Sequence, residues 1–156
     1  MQHIAIMNKK WKLIDKILSG EKSIESRWYV NKISPWGKIK SGEVIYFKDA
    51  GDFVTAVAEV ENVIYFSRNL DVGLFNFDED VKEFDSNLIL EKYGDKICIQ
   101  DVDGFDAYAA FKNYCILVAF KNAKRVEPFD IDKTGFGNAC AWLCVDDVNK
   151  IKKEEK

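Results

Sequence analysis

Residues 19–28 read SGEKSIESRW, and how this stretch is read decides the fold. Gly20 closes an apparently helical segment, and Lys22, Glu25 and Arg27 then crowd the start of an alternating one. In a strand, Ile24 and Trp28 share one side with Ser26, while Ser23, Glu25 and Arg27 share the other. The preceding NKKWKLIDKILSG predicts an amphipathic helix. Its residues Trp11, Leu13, Ile14, Ile17 and Leu18 fall in one arc of about 160° at 100° per residue. Asn8 is placed to cap that helix, and Gly20 stands where a left-handed residue ends it. Lys9, Lys12 and Lys16 occupy the opposite face.

Working outward, HIAIM (3–7) reads as a strand before the helix, and EVIYFK (43–48) as a strand after it. NKISPWGKIKSG between the second and third strands is a loop punctuated by Pro35, Gly37 and Gly42. DAGD (49–52) is a tight turn into FVTAVAEVENVIYF (53–66), a long strand or two strands meeting near Glu61–Asn62. DEDVKEFDSNLILEKYG predicts a helix ending at Gly94, with Val81, Phe84, Leu88 and Tyr93 on one side. DGFDAYAAFKNY predicts a second, and CILVAFKNAKRVEPF (115–129) and ACAWLCV (139–145) return to strand. The fold class is therefore α+β: a small barrel of about five to six mostly antiparallel strands, with an N-terminal amphipathic helix. Strands this apolar on both faces fit a closed or half-closed barrel better than an open sheet with one wet side. One domain is expected over 1–156, with 67–112 as a helical insertion and 150–156 as a frayed tail.

The composition, 47% hydrophobic and 31% charged, supports a packed core in 156 residues. No run of about 18 apolar residues is present, so no membrane span is expected. The N-terminus lacks the apolar stretch of a secretory signal, which points to the cytoplasm. The net charge of −3 hides a segregation. Residues 1–48 hold ten Lys/Arg against four Asp/Glu, and residues 69–106 three against eleven. A binding surface depends on its local field, so a pI near 5.3 does not exclude nucleic acid. Cys98, Cys115, Cys140 and Cys144 form no C-x-x-C pair, and His3 is the one histidine. Reduced thiols are expected, with neither metal nor cofactor.

The order helix, G-x-K-x-x-E-x-R (Gly20, Lys22, Glu25, Arg27), strand, then IKSGEVIYFKDAG with Glu43 after its glycine, resembles the ASCH domains, a branch of the PUA-like superfamily. The closing KNAKRVEPFDIDKTGFGNACAWLCVDDV is similar to the last strands of such domains. The resemblance implies a PUA-like barrel with a cleft beside the motif strand, and binding of RNA or modified nucleosides. One branch hydrolyses the acetyl amide of acetylated cytidine, and some members are reported as nucleases. In the hydrolase branch a threonine nucleophile stands where this chain has Glu25. Lys22 carries over and the hydroxyl does not.

Physically, a carboxylate between two cations stays ionised. Arg27 as a fork and Lys22 as a point charge, free to swing, suit phosphate oxygens, and Glu25 suits an exocyclic amine or a ribose hydroxyl. In an enzyme, Lys22 would activate water and Glu25 serve as general acid or base. Trp36, in an exposed loop, is the stacking candidate, whereas Trp28 reads as core. DKTGFGN (132–138) offers glycine-flanked N–H groups and Lys133 for an anion. Lys121, Lys124 and Arg125 extend a basic rim. The expected partner is RNA or a modified nucleoside. The alternatives are a hydrolase, or a protein-interaction module docking through the acidic 69–106 stretch. Oligomeric state is left open.

Overall fold

The computed structural model describes residues 1–68, 81–100 and 102–154. In chain order these form β1 (Gln2–Met7), α1 (Leu13–Ser19), β2 (Ile24–Tyr29), β3 (Val44–Asp49), β4 (Val54–Ser67) and β5 (Val81–Glu83). There follow α2 (Ser86–Ile97), α3 (Phe105–Ala110), β6 (Tyr114–Phe129) and β7 (Trp142–Val145). The strands make one curled mixed sheet in the order β2-β6-β4-β3-β1-β7, with β5 beside β4. β1 and β3 run parallel, as do β4 and β5, and the other pairs are antiparallel. The class is α+β and the sheet a half-barrel, of seven strands where five to six were expected.

The curl comes from the two long strands. Pairing of β4 with β6 shifts register between Val54 and Ala56, Val57 and Glu59, and Val60 and Asn62. Each extra residue bends its strand and increases the local twist. The bend expected near Glu61–Asn62 is the last of these shifts, within one continuous strand. The concave face collects Ala5, Met7, Phe47, Ala56, Val60, Ile116, Val118 and Phe120, and Leu13, Ile14 and Ile17 of α1 pack onto them. On the outer face, Ile24, Trp28, Cys115 and Leu117 lie under Ile89 and Ile97 of α2 and Phe105 of α3. Around β1 and β7, Ile4, Val54, Ile131, Leu143, Val145 and Val148 form a third cluster. Both faces of the strands are thus buried. Each large side chain so covered stabilises by about 1.5–3 kcal/mol.

Three elements differ from the sequence reading. The N-terminal helix is broken: Asn8 caps a short 3-10 turn, Lys9–Trp11, and Lys12 is left-handed (φ 54°) before α1 begins. The kink lets Trp11 meet Phe105 of α3 (6.2 Å between rings) while Leu13, Ile14 and Ile17 enter the core. The helix expected to end at Gly94 is displaced. Val81–Glu83 pairs with Tyr65–Ser67, because β3 pairs with β4 only as far as Glu59 and leaves the far edge open. The Asp85 carboxylate then accepts the Leu88 N–H (3.2 Å) and starts α2, which runs through Gly94 to a left-handed Cys98. The buried stripe is Ile89 and Ile97, and Leu88 is 62% exposed. The third difference is at the chain's close. Lys152 bridges to Ile131, and Lys153 donates its N–H to the Asp130 carbonyl (2.9 Å). The carboxylate of Asp130 holds the Lys153 ammonium at 2.9 Å, so residues 152–153 are tied down. Much of the acidic stretch expected as a docking surface, residues 69–80 and 101, lies outside the described residues.

No helix among the described residues is long and apolar enough to cross a membrane. Cys98 and Cys115 are buried free thiols, and Cys140 and Cys144 are half-buried ones. Among the described residues no three His, Cys, Asp or Glu side chains converge as a metal site would require.

Candidate functional site

β2 and β7 end the sheet path, so a seam runs between β2 on one side and β1 with β7 on the other. Alternation along β2 turns Ile24 and Trp28 outward to the helices, while Glu25 and Arg27, paired with Val118 and Ile116, face the concave side. Arg27 spans the seam. Its Nη2 donates to the Ile6 carbonyl (3.2 Å) and its Nη1 to the Ala141 carbonyl (3.3 Å). The guanidinium also lies over the Trp142 ring, 5.1 Å from its centroid. A rigid planar fork is the side chain suited to bridging two carbonyls from separate segments.

Lys22 is 1% exposed and does not swing. Its ammonium donates to the carbonyls of Ile24 and Ile97, each at 2.6 Å, and lies 3.4 Å from Glu25 Oε2. Two of its donors are thereby engaged by carbonyls and its charge is paired with Glu25, and the end of α2 is fastened to the start of β2. Burial pushes the Lys22 ammonium below its ordinary value, against the pull of Glu25. Glu25 completes the triad with Oε1 3.4 Å from Arg27 Nε. Its charge is matched on both sides, yet neither Oε2 nor Arg27 Nε has a hydrogen-bond partner among the described residues.

The triad borders a hollow of about 280 Å³ that also includes Ile6, Asn8 and Ala141 from across the seam. Aromatic walls complete it: Trp11, Trp28, Tyr29, Phe105 and Tyr108. Phe105 meets Trp28 edge-on at 5.8 Å, and Tyr108, 49% exposed, stands where the hollow reaches solvent. Tyr29 donates to the Ser34 carbonyl (3.0 Å), and burial pushes its hydroxyl up to about 12. Ser26 lines the hollow as well, its Oγ accepting the Trp28 indole N–H at 2.9 Å.

The other site candidates lie elsewhere. Trp36 packs edge-on against Tyr65 (4.9 Å) and Tyr114 (5.2 Å), away from the triad's hollow. Lys133 lines a separate hollow on the outer side of β1 and β3, with Lys48 and Lys153. Lys121, Lys124 and Arg125 are on the distal half of β6, with Lys121 3.9 Å from Glu59. Sequence reasoning missed Phe105 and Tyr108 as walls, since α3 carries only a weak helical pattern. It read Trp11 as part of a helix stripe, and only the break at Lys12 turns that ring toward α3.

His3 is fully buried and belongs to the scaffold. Its Nδ1 accepts the Trp142 indole N–H (3.1 Å), so Nε2 carries the proton and donates to Glu43 Oε1 (3.1 Å). Burial lowers the His3 ring below its ordinary value.

No protein-family model matches the chain, and no curated protein matches it in sequence. Solved structures do match. That of ASCH from Zymomonas mobilis has a TM-score of 0.63 at 10% identity, covering 98% of this chain and 96% of that one. Two variants of the same Zymomonas mobilis protein, tyrosine-to-phenylalanine and serine-to-alanine, each have a TM-score of 0.64 at 12% identity. Both cover 96% of this chain, and 93% and 91% of their own lengths. Such a likeness bears on the fold, which is the one the motif order led us to expect.

Proposed function

Because the chain carries the fold of ASCH domains, we propose that it binds RNA or a modified nucleoside by admitting a base to the seam hollow. The observation that supports this reading is Glu25: a buried carboxylate, balanced in charge and short of hydrogen bonds, beside an aromatic-walled cavity. Buried polar atoms in a finished fold have partners, and an atom without one marks a place that something else completes. An exocyclic amine supplies the missing donor, as cytosine's amine does for a carboxylate. The rings of Trp11 and Tyr108 supply the faces on which a base stacks, worth about 1–3 kcal/mol. Lys22 and the Arg27 Nη atoms are committed to carbonyls, so the hollow is built to read a base and not to grip a phosphate.

Calorimetric titration with cytidine, base-modified cytidines and uridine tests this reading. The expected result is preference for a nucleoside that presents an amine, lost in Glu25→Gln. Equal binding of uridine, or undiminished binding by Glu25→Gln, would refute it. A hydrolase in the same hollow is the alternative. Against it, the Lys22 ammonium is held by two carbonyls and Ser26 Oγ by an indole. We expect no acetate release from acetylated cytidine. Turnover abolished by both Lys22→Ala and Glu25→Ala would establish the enzyme instead.

A further inference from the structure

A second hollow, of about 370 Å³, lies between the 49–53 turn and the segment around Asp130. Lys48 lines it with its stem buried, only 6% exposed as a residue, and its ammonium reaches the hollow with no hydrogen-bonding or ion-pair partner among the described residues. Lysine buries its aliphatic stem and keeps its charged head accessible, and here the head is presented to the hollow. Burial holds the Lys48 ammonium below its ordinary value, with Lys133 and Lys153 acting in the same direction and Asp130 and Asp52 opposing. Both of those lysines line the same hollow. So do two carboxylates, already engaged: Asp52 holds Lys9 (2.8 Å) and Asp130 holds Lys153 (2.9 Å). Lys48 and Lys133, neither of them in an ion pair among the described residues, therefore line one cavity beside the Lys153–Asp130 pair.

Compact, multiply donating point charges suit a phosphate, whose oxygens accept from several directions. Phe53, 52% exposed, also borders this hollow and offers a ring face to an adjoining base. Ile6 is the ladder partner of Lys48 and lines both this hollow and the seam hollow. A ligand reaching from one to the other has to pass a single strand.

We propose that Lys48 and Lys133, with the Lys153–Asp130 pair at their side, form a phosphate site that holds the backbone of the RNA strand whose base enters the seam hollow. The strand rests on the reading given under Proposed function, while the phosphate site stands on the lysines alone. The two hollows divide the work: the seam, with its cations committed, reads a base, and the outer face supplies the positive charge.

Amide chemical shifts of the labelled protein, followed with inorganic pyrophosphate and with a short single-stranded RNA of mixed sequence, separate the two parts. Pyrophosphate is expected to move amides at 48–53 and 130–135 and leave 22–28 in place, and Lys48→Met to abolish this with an unchanged urea midpoint. RNA is expected to move both sets. Lys48→Met is expected to lower the slope of log affinity against log salt by about 0.7, the share of one single-strand phosphate. If Lys48→Met does not fold, the half-exposed Lys133→Gln carries the test. No pyrophosphate effect near Lys48, or an effect unchanged in the variants, overturns the site. Pyrophosphate binding without RNA binding upholds the site for a free phosphate and overturns the strand, along with the RNA reading. Stronger displacement of the same amides by an acidic peptide would assign the surface to a protein partner and overturn the phosphate proposal.

Discussion

Lys22 and Lys48 are both buried lysines, and the molecule treats them in opposite ways. Lys22 is enclosed by two carbonyls and a carboxylate, with nothing left to offer a ligand. Lys48 has a buried stem and, among the described residues, no such partners. Both ammonium groups are lowered by burial, so the shift alone does not tell them apart. What distinguishes them is whether the donors are spent. The phosphate site proposed above rests on that difference.

The largest effect that would sharpen this contrast is expected from Lys22→Met. Removing one partner of a buried ion pair leaves the other uncompensated, at about 3–5 kcal/mol. Urea denaturation should show this loss, with part of it recovered when Glu25→Leu is added. A loss below about 1 kcal/mol would place Lys22 among ordinary surface lysines. Next comes Arg27→Gln, which gives up charged hydrogen bonds across the seam at about 1.5–3 kcal/mol and should also weaken nucleoside binding. Intact stability in this variant would mean that the seam is held by its apolar contacts alone.

Lys48→Met should be nearly neutral for stability at pH 7, since it removes a charge that makes no hydrogen bond or ion pair among the described residues. Its signature is in the pH dependence. A folded value below the unfolded one means that the unfolded chain binds more protons between the two. Stability therefore rises with pH as the solution approaches about 10.4. Lys22 contributes with the same sign, so Lys48→Met should flatten the rise only in part. An unaltered slope would contradict the burial of the Lys48 charge.

The smallest effect concerns His3. Its folded value lies below 6.5, so the unfolded chain takes up a proton first as the pH falls. Stability should drop as pH falls from about 6.5 toward the lowered folded value. Glu43 is held below its ordinary value and adds a loss of the same sign only under about pH 4.5. A flat urea midpoint between about pH 7 and pH 5 would contradict the neutral buried ring.

The seam was legible wherever the information was local. Gly20 takes the left-handed turn (φ 84°) its position called for, and strand alternation sent Glu25 and Arg27 to one face. The parts that were not legible depend on distant neighbours. Val81–Glu83 became a strand because the far end of β4 lacked a partner, a vacancy visible only once β3 is known to stop short. Lys22 reads as free in sequence because one of its two carbonyl acceptors, that of Ile97, lies 75 residues away. Lys48 reads in sequence as the polar end of a strand, and its burial comes from the returning segment near Ile131 and Lys153. Trp36 sits in the loop the sequence indicated, but Tyr65 and Tyr114 hold its ring.

On the function proposed above, the Glu25 carboxylate is held ready for a donor from outside the chain. The most direct measurement follows the side-chain carboxyl carbon of Glu25 by NMR while cytidine is added to the folded protein. Cytidine is expected to displace that resonance together with amides at 105–108, and uridine to leave them in place. A Glu25 signal unmoved by any nucleoside, while the fold stays intact, would show the triad to be a brace and nothing more.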